Sequence, residues 1–354
     1  MDNFGHGGRI FEAASLLARP WQEITDFSAN INPFGQPKGL KRYIFNDFSR
    51  SLHYPEPRAE SFLAGLARFW SLPEDHFLPG AGSTVHIFLL ARLLTEGLSV
   101  IIGPAFSEYA QGLKAAGARF TFVQTKAANN FLVTEETAES VFSLKPKAIF
   151  LASPANPSGR LVPRYIMDEL LRRCLEQGIY LIADEAFIDF TQGSSLVPLV
   201  RDHPYLIVLK SLTKIMAVPG LRLAYLAGSG SLVRALWTHL GPWPLSSPAL
   251  AAGRFYLDHP ELNKSLPRKI SVLRNKLALI LDRCGRSIPS ESNFLLFQYR
   301  NTQTENLLDF LFQNGLLVRN AANFLGLEPG WLRLAVRPEK EIRLLDQLLE
   351  KYHA

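Results

Sequence analysis

Short, unbroken apolar runs alternate along this chain with longer stretches of helical hydrophobic spacing. Ser99–Ile102, Arg119–Val123, Ala148–Ala152, Ile179–Ala183, Tyr205–Leu209 and Leu223–Ala227 are rich in Ile, Val, Leu and Tyr. They lack the polar alternation of a half-exposed strand, so they predict strands buried on both faces of a mostly parallel sheet. Arg164–Gln177 reads as an amphipathic helix closed by Gly178, a C-cap residue. Strands and helices in alternation predict an α/β domain over residues 38–241.

Past the break GPWPLSSP (Gly241–Pro248) the order changes. A helical region over 249–284 precedes a strand at 293–299, a helix at 304–314, strands near 316–319 and 331–336, and a last helix at 339–352. This predicts a smaller α+β domain over 242–354. No internal repeat is visible.

A length of 354 residues agrees with two domains. The net charge of +6 comes without a basic block, which disfavours nucleic-acid and membrane-surface roles and suits small anionic substrates. Cys174 and Cys284 stand alone, and the histidines lack metal-ligand spacing, so no disulfide, zinc site or other metal is expected. The opening MDNFGHGG lacks the basic start and apolar run of a signal peptide, and no apolar stretch is long enough to span a membrane. The expected compartment is a reducing cytoplasm.

Polar residues collect just after the apolar runs, where open α/β sheets bind ligands. SPANPSG (Ser153–Gly159), DEAFIDF (Asp184–Phe190) and KSLTK (Lys210–Lys214) offer an amide, a carboxylate and an amine. PGAGSTVHIF (Pro79–Phe88) is a glycine turn before a helix, a geometry that points N–H groups and hydroxyls at an anion. Together these match what pyridoxal 5′-phosphate requires. Lys214 would carry the aldehyde, Asp184 would face the ring nitrogen, and Asn156 the ring hydroxyl oxygen. Gly82, Ser83, Thr84, Ser211, Thr213 and Arg222 would hold the phosphate, with Arg222 expected to be buried. Tyr109, in preference to Phe106, would cover the ring. The bland alternatives are helix caps at Ser83, Thr84 and Asp184.

NPSG, DEAF and SLTK with GLRLAY (Gly220–Tyr225), in this order, resemble the fold-type I pyridoxal-phosphate enzymes of the aspartate aminotransferase superfamily. The resemblance runs from about residue 27 to 336, most of the chain. It implies a large domain built on a mostly parallel seven-stranded sheet, a smaller α+β domain, and an N-terminal segment (1–37) joining the small domain. Within the superfamily, HGG (His6–Gly8), DFSANINPFG (Asp26–Gly35), Phe187 in DEAF, SLTK and WLRLAVR (Trp331–Arg337) are similar to cobalamin-pathway threonine-phosphate decarboxylases. Histidinol-phosphate aminotransferases are the second resemblance, and serine phosphate is a second decarboxylase substrate. The resemblance implies a substrate-anion set of His6, Asn30, Arg319, Arg333 and Arg337. It also implies a homodimer in which Tyr54, from HYPEPR, reaches the partner's cofactor phosphate.

Overall fold

The computed structural model describes residues 6–301 and 303–354; Met1–Gly5 of the opening motif lie outside the described residues. Seven strands form the main sheet: β1 (Phe77–Ala81), β2 (Leu98–Gly103), β3 (Arg119–Gln124), β4 (Ala148–Ala152), β5 (Tyr180–Asp184), β6 (Leu206–Ser211) and β7 (Leu223–Ala227). Their spatial order is β1-β7-β6-β5-β4-β2-β3. Only β7 runs against its neighbours, β1 and β6.

The unalternating apolar runs have a direct physical reading. Ile149 and Leu151 of β4 enter one core cluster while Ala148 and Phe150 enter the other, on the opposite face. Both faces are covered, so the central strands are unbroken apolar runs whose polar residues fall at their carboxyl ends, as Asp184 does on β5 and Lys210 and Ser211 on β6.

The helices used below are α1 (Ser83–Leu93), α2 (Ser107–Ala115), α3 (Arg164–Gln177), α4 (Leu212–Ile215), α5 (Ser247–Asp258), α6 (Leu266–Leu281), α7 (Thr304–Gln313) and α8 (Glu339–His353). Gly178 ends α3 at φ 66°, a left-handed C-cap that glycine adopts at no steric cost. The helical region expected over 249–284 is two helices, α5 and α6, separated by a short 3-10 turn beginning at Pro260.

The small domain carries β8 (Gly285–Ser287), β9 (Phe294–Tyr299), β10 (Arg319–Asn320) and β11 (Trp331–Ala335), an antiparallel sheet in the order β10-β11-β9-β8. The N-terminal segment belongs with it. Thr25–Asp26 pairs in parallel with Leu316–Leu317, and the Ala335 N–H donates to the Phe27 carbonyl at 2.8 Å.

Two strands escape the hydrophobic pattern. β1 contains Pro79 and Gly80, residues that weaken a strand and are tolerated at a sheet edge, which is where β1 lies. β8 is three residues with no buried position. Cys174 and Cys284 are buried free thiols. Among the described residues no helix is long and apolar enough to cross a membrane, and no cluster of His, Cys, Asp and Glu has metal-binding geometry.

Candidate active site

The carboxyl ends of β4, β5 and β6 open into a cavity of about 810 Å³, bounded on its other sides by α1, α2 and the small-domain sheet. That size falls within the roughly 300–1,000 Å³ of small-molecule sites. Asp184 ends β5 at its floor. One oxygen accepts the Ala186 N–H at 2.9 Å and the other accepts the Tyr109 hydroxyl at 2.6 Å. Burial pushes the Asp184 carboxyl above the usual range, and the Tyr109 hydroxyl, the Ala186 N–H and the charges of Lys214 and Lys210 oppose that rise. No α-helix follows β5, so capping does not account for Asp184.

This geometry corrects one expectation. Tyr109 is buried, with its hydroxyl committed to Asp184, so it does not lie as a free cover over a cofactor ring. Phe106, three residues earlier at the start of α2, is the half-buried aromatic on the cavity wall.

Lys214 sits in α4, directly after β6, and lines the cavity. Burial, then the fields of Arg333 and Arg222, lower its amine from the ordinary lysine value to about 8, with Asp184 opposing. An amine poised near neutrality is the form that attacks an aldehyde. The hydroxyls of Ser211 and Thr213 share a hydrogen bond of 2.8 Å beside it.

Gly82, Ser83 and Thr84 open α1. Gly82 is the N-cap, so Ser83 and Thr84 occupy the first two helical positions, one and two residues past the cap. At φ 92°, a Cβ on Gly82 would lie 2.2 Å from Arg222 Nη2. The guanidinium therefore rests against the anion loop. Arg222 is exposed along the cavity rim, not buried as its apolar neighbours suggested; it leaves a 3-10 turn in a left-handed conformation (φ 56°) that swings it toward α1.

The opposite wall is the small-domain sheet. Arg319 and Arg333 are direct cross-strand partners on β10 and β11, and both are buried. Like charges so placed repel, and burial compounds the cost. Burial, then the charge of Arg319, brings Arg333 down to about 9, and burial alone brings Arg319 to about 10. Arg333 donates to Asn156 Oδ1 at 2.6 Å and to the Ser28 carbonyl at 2.7 Å, while Arg319 donates to Asn323 Oδ1 at 2.7 Å. Asn30, also buried on this cavity, has neither amide atom hydrogen-bonded. Two compressed cations and an orphaned amide facing one space call for an anionic ligand. His6 lies at the mouth, 3.1 Å from Glu108 and beside Phe106.

Two expected residues stand elsewhere. Arg337 follows β11 and donates to Glu341 one helical turn on, at 2.7 Å, away from the cavity wall. Tyr54 is exposed and stacked on Trp243 at 4.6 Å between ring centroids, outside the cavity of its own chain. Phe187 is buried against Phe294 and lines the cavity without a hydroxyl. Asn156 lines the same cavity, its Oδ1 held by Arg333. Ser28, Glu108 and Asn323 were not singled out in the sequence, and Phe106 was there only the second choice for the covering ring. The Ser28 carbonyl meets Arg333 from 305 positions away, which no local pattern reveals, whereas Asn323 meets Arg319 from only four residues on.

The residues present fit pyridoxal 5′-phosphate: a glycine loop at a helix start, an amine near neutrality, and a buried carboxylate. Comparison with known proteins agrees. The description "Aminotransferase class I and II" matches residues 22–351. The threonine-phosphate decarboxylase of Salmonella typhimurium is 32% identical over 341 residues, covering 95% of this chain and 93% of that one. The histidinol-phosphate aminotransferase of Caldanaerobacter subterraneus is 32% identical over 316 residues, 87% of each chain. The solved histidinol-phosphate aminotransferase of Sinorhizobium meliloti, in complex with pyridoxal 5′-phosphate, superposes with a TM-score of 0.86 at 18% identity, covering 98% of this chain and 95% of that one.

Proposed function

The chain belongs to the aminotransferase class I and II family and is a pyridoxal 5′-phosphate-dependent enzyme; from that premise we propose that it decarboxylates L-threonine O-3-phosphate. The product would be (R)-1-amino-2-propanol O-2-phosphate, for the aminopropanol linker of cobalamin. The observation that carries the reading is the buried cross-strand pair Arg319 and Arg333, with Asn30 beside them and His6 at the mouth. A substrate with both a carboxylate and a phosphate matches two guanidinium forks better than a single anion does.

The bound cofactor supplies an electron-withdrawing ring. The protein's contribution would be orientation: remote anchors on the substrate would choose which bond at Cα is presented for cleavage. Arg319 and Arg333 would hold the two anionic groups so that the Cα–carboxylate bond, not Cα–H, is the one presented. Asp184 would face the ring nitrogen and keep it charged. Lys214 Nζ returns a proton to Cα once CO₂ has left. Phe187, where the aminotransferase motif has tyrosine, leaves the ring oxygen to Asn156.

We further propose a homodimer in the cytoplasm, organised as an N-terminal segment (1–37), a large domain (38–241) and a small domain (242–354). Phe45, Phe48, Leu52, Tyr54 and Trp243 are exposed apolar side chains, which supports a partner surface there, with Tyr54 directed at the neighbouring subunit's phosphate loop.

The deciding experiment gives purified holoenzyme L-threonine O-3-phosphate, L-serine O-phosphate, or histidinol phosphate with 2-oxoglutarate. Release of CO₂ with the aminopropanol phosphate is expected from the first. Turnover of histidinol phosphate dependent on the keto acid, without CO₂, would replace this reading by the aminotransferase one.

A further inference from the structure

We infer that Tyr109 is a positioning residue, its hydroxyl orienting the Asp184 carboxylate that would face the cofactor's ring nitrogen. The inference rests on Asp184 facing that nitrogen. It gives Tyr109 a role distinct from the covering aromatic, which falls to Phe106.

The geometry is specific. Tyr109 is one of the largest fully buried side chains, and its ring is gripped edge-on by Phe106 (5.9 Å) and at a tilt by Phe150 (5.5 Å). The hydroxyl has one place to point, and at 2.6 Å it donates to Asp184 Oδ2. With Oδ1 on the Ala186 N–H, the carboxylate is held at both ends by donors from different elements, which sets its plane.

The charged groups facing Asp184 are Lys214 of α4 and Lys210 of β6. Glu185 points the other way, accepting from Ser195 and from the Leu196 N–H. Burial, followed by the charge of Asp184, raises the Tyr109 hydroxyl well above its ordinary range, so it stays protonated and remains a donor across the working pH. A donor that never ionises stabilises the charged carboxylate without competing for its proton.

The test uses holoenzyme, following the visible absorbance of bound cofactor against pH together with kcat and KM. Tyr109→Phe removes one oxygen and keeps the ring. Asp184 then loses a donor that favours its ionised form, so its acid transition should move to higher pH. A hydrogen bond to a charged group has a weight of roughly ten- to a hundredfold, and that fall is expected in kcat, with KM changed less than about threefold. In an Asp184→Asn background the same substitution should change little, because the two residues act as one unit. A transition unmoved by Tyr109→Phe, or an equal loss with and without Asp184, overturns the inference. An Asp184→Asn protein indistinguishable from wild type removes the premise and the inference with it, whichever substrate the enzyme takes. Should Tyr109→Phe fail to fold, 3-fluorotyrosine at position 109 provides the second variant. It is a near-isosteric, stronger donor and must shift the acid transition to lower pH; a shift upward or none overturns the inference.

Discussion

Replacing Arg333 with alanine tests the anion-binding wall and the amine opposite it in one variant. The substitution removes the donors to Asn156 Oδ1 and to the Ser28 carbonyl, and one of the two guanidinium groups facing the cavity. Truncating one partner of a buried, hydrogen-bonded charge pair costs about 2–5 kcal/mol. At about 1.4 kcal/mol per decade, kcat/KM for L-threonine O-3-phosphate should fall roughly thirty- to several-thousandfold. A second effect reaches Lys214. Arg333 is the largest influence after burial that lowers this amine to about 8, so without it the amine titrates higher. Fewer neutral amines are then present at pH 7, and capture of added cofactor by the apoprotein slows. The assays are CO₂ release at saturating cofactor and the rate at which absorbance of the bound cofactor appears. Arg337→Ala is the comparator: its ion pair with Glu341 lies off the cavity, and a change within about threefold is expected, as for surface pairs in general. An Arg333→Ala enzyme within about fivefold of wild type, or an Arg337→Ala enzyme equally impaired, would refute this assignment of the wall.

Three further outcomes follow from the same geometry. An amine titrating at about 8 is roughly one-tenth neutral at pH 7, so wild-type apoprotein should capture cofactor faster as pH rises and level off above about pH 9; a flat profile contradicts the poised lysine. Gly82→Ala places a Cβ 2.2 Å from Arg222 Nη2 at a left-handed φ, and should weaken cofactor binding by about tenfold or more in an absorbance titration; unchanged affinity would remove Arg222 from the phosphate cup. Lys210 is buried between Asp189 (3.1 Å) and Glu185 (3.8 Å), and Lys210→Met should lower the unfolding free energy by about 3–5 kcal/mol in urea titrations. Burial already raises the Glu185 carboxyl, so its ionised form is the costly one once the lysine is gone. The deficit should therefore grow as pH rises through the usual carboxylate range and shrink on acidification, and a deficit independent of pH would contradict the cluster's role.

Much of the fold was legible because its central strands are covered on both faces, which writes them as unbroken apolar runs such as Ala148–Ala152. The direction of a strand is not written that way. β7 reads like its neighbours yet runs antiparallel, because a strand buried on both sides has the same composition either way up. β1 escaped notice because Pro79 and Gly80 are residues only an edge tolerates, and edge position is a property of the assembled sheet.

The candidate site divides along the same line. Asn156, Asp184 and Lys214 were identifiable from the chain alone, since each lies within a few residues of the end of an apolar run and a ligand meets such ends in this class of sheet. Arg333 and Arg337 look equivalent four residues apart in WLRLAVR, and Phe106 and Tyr109 look interchangeable three apart in PAFSEY. Pairing across strands turned Arg333 toward Arg319 and the cavity, while the start of α8 took Arg337 into an ion pair. Packing against Phe150 sent the Tyr109 hydroxyl to Asp184. Local order along the chain determined which chemical groups gather at the sheet's edge; the partners that aim Arg333 and Asp184, the Ser28 carbonyl and Tyr109, come from segments far away in sequence, so only the folded arrangement decided them.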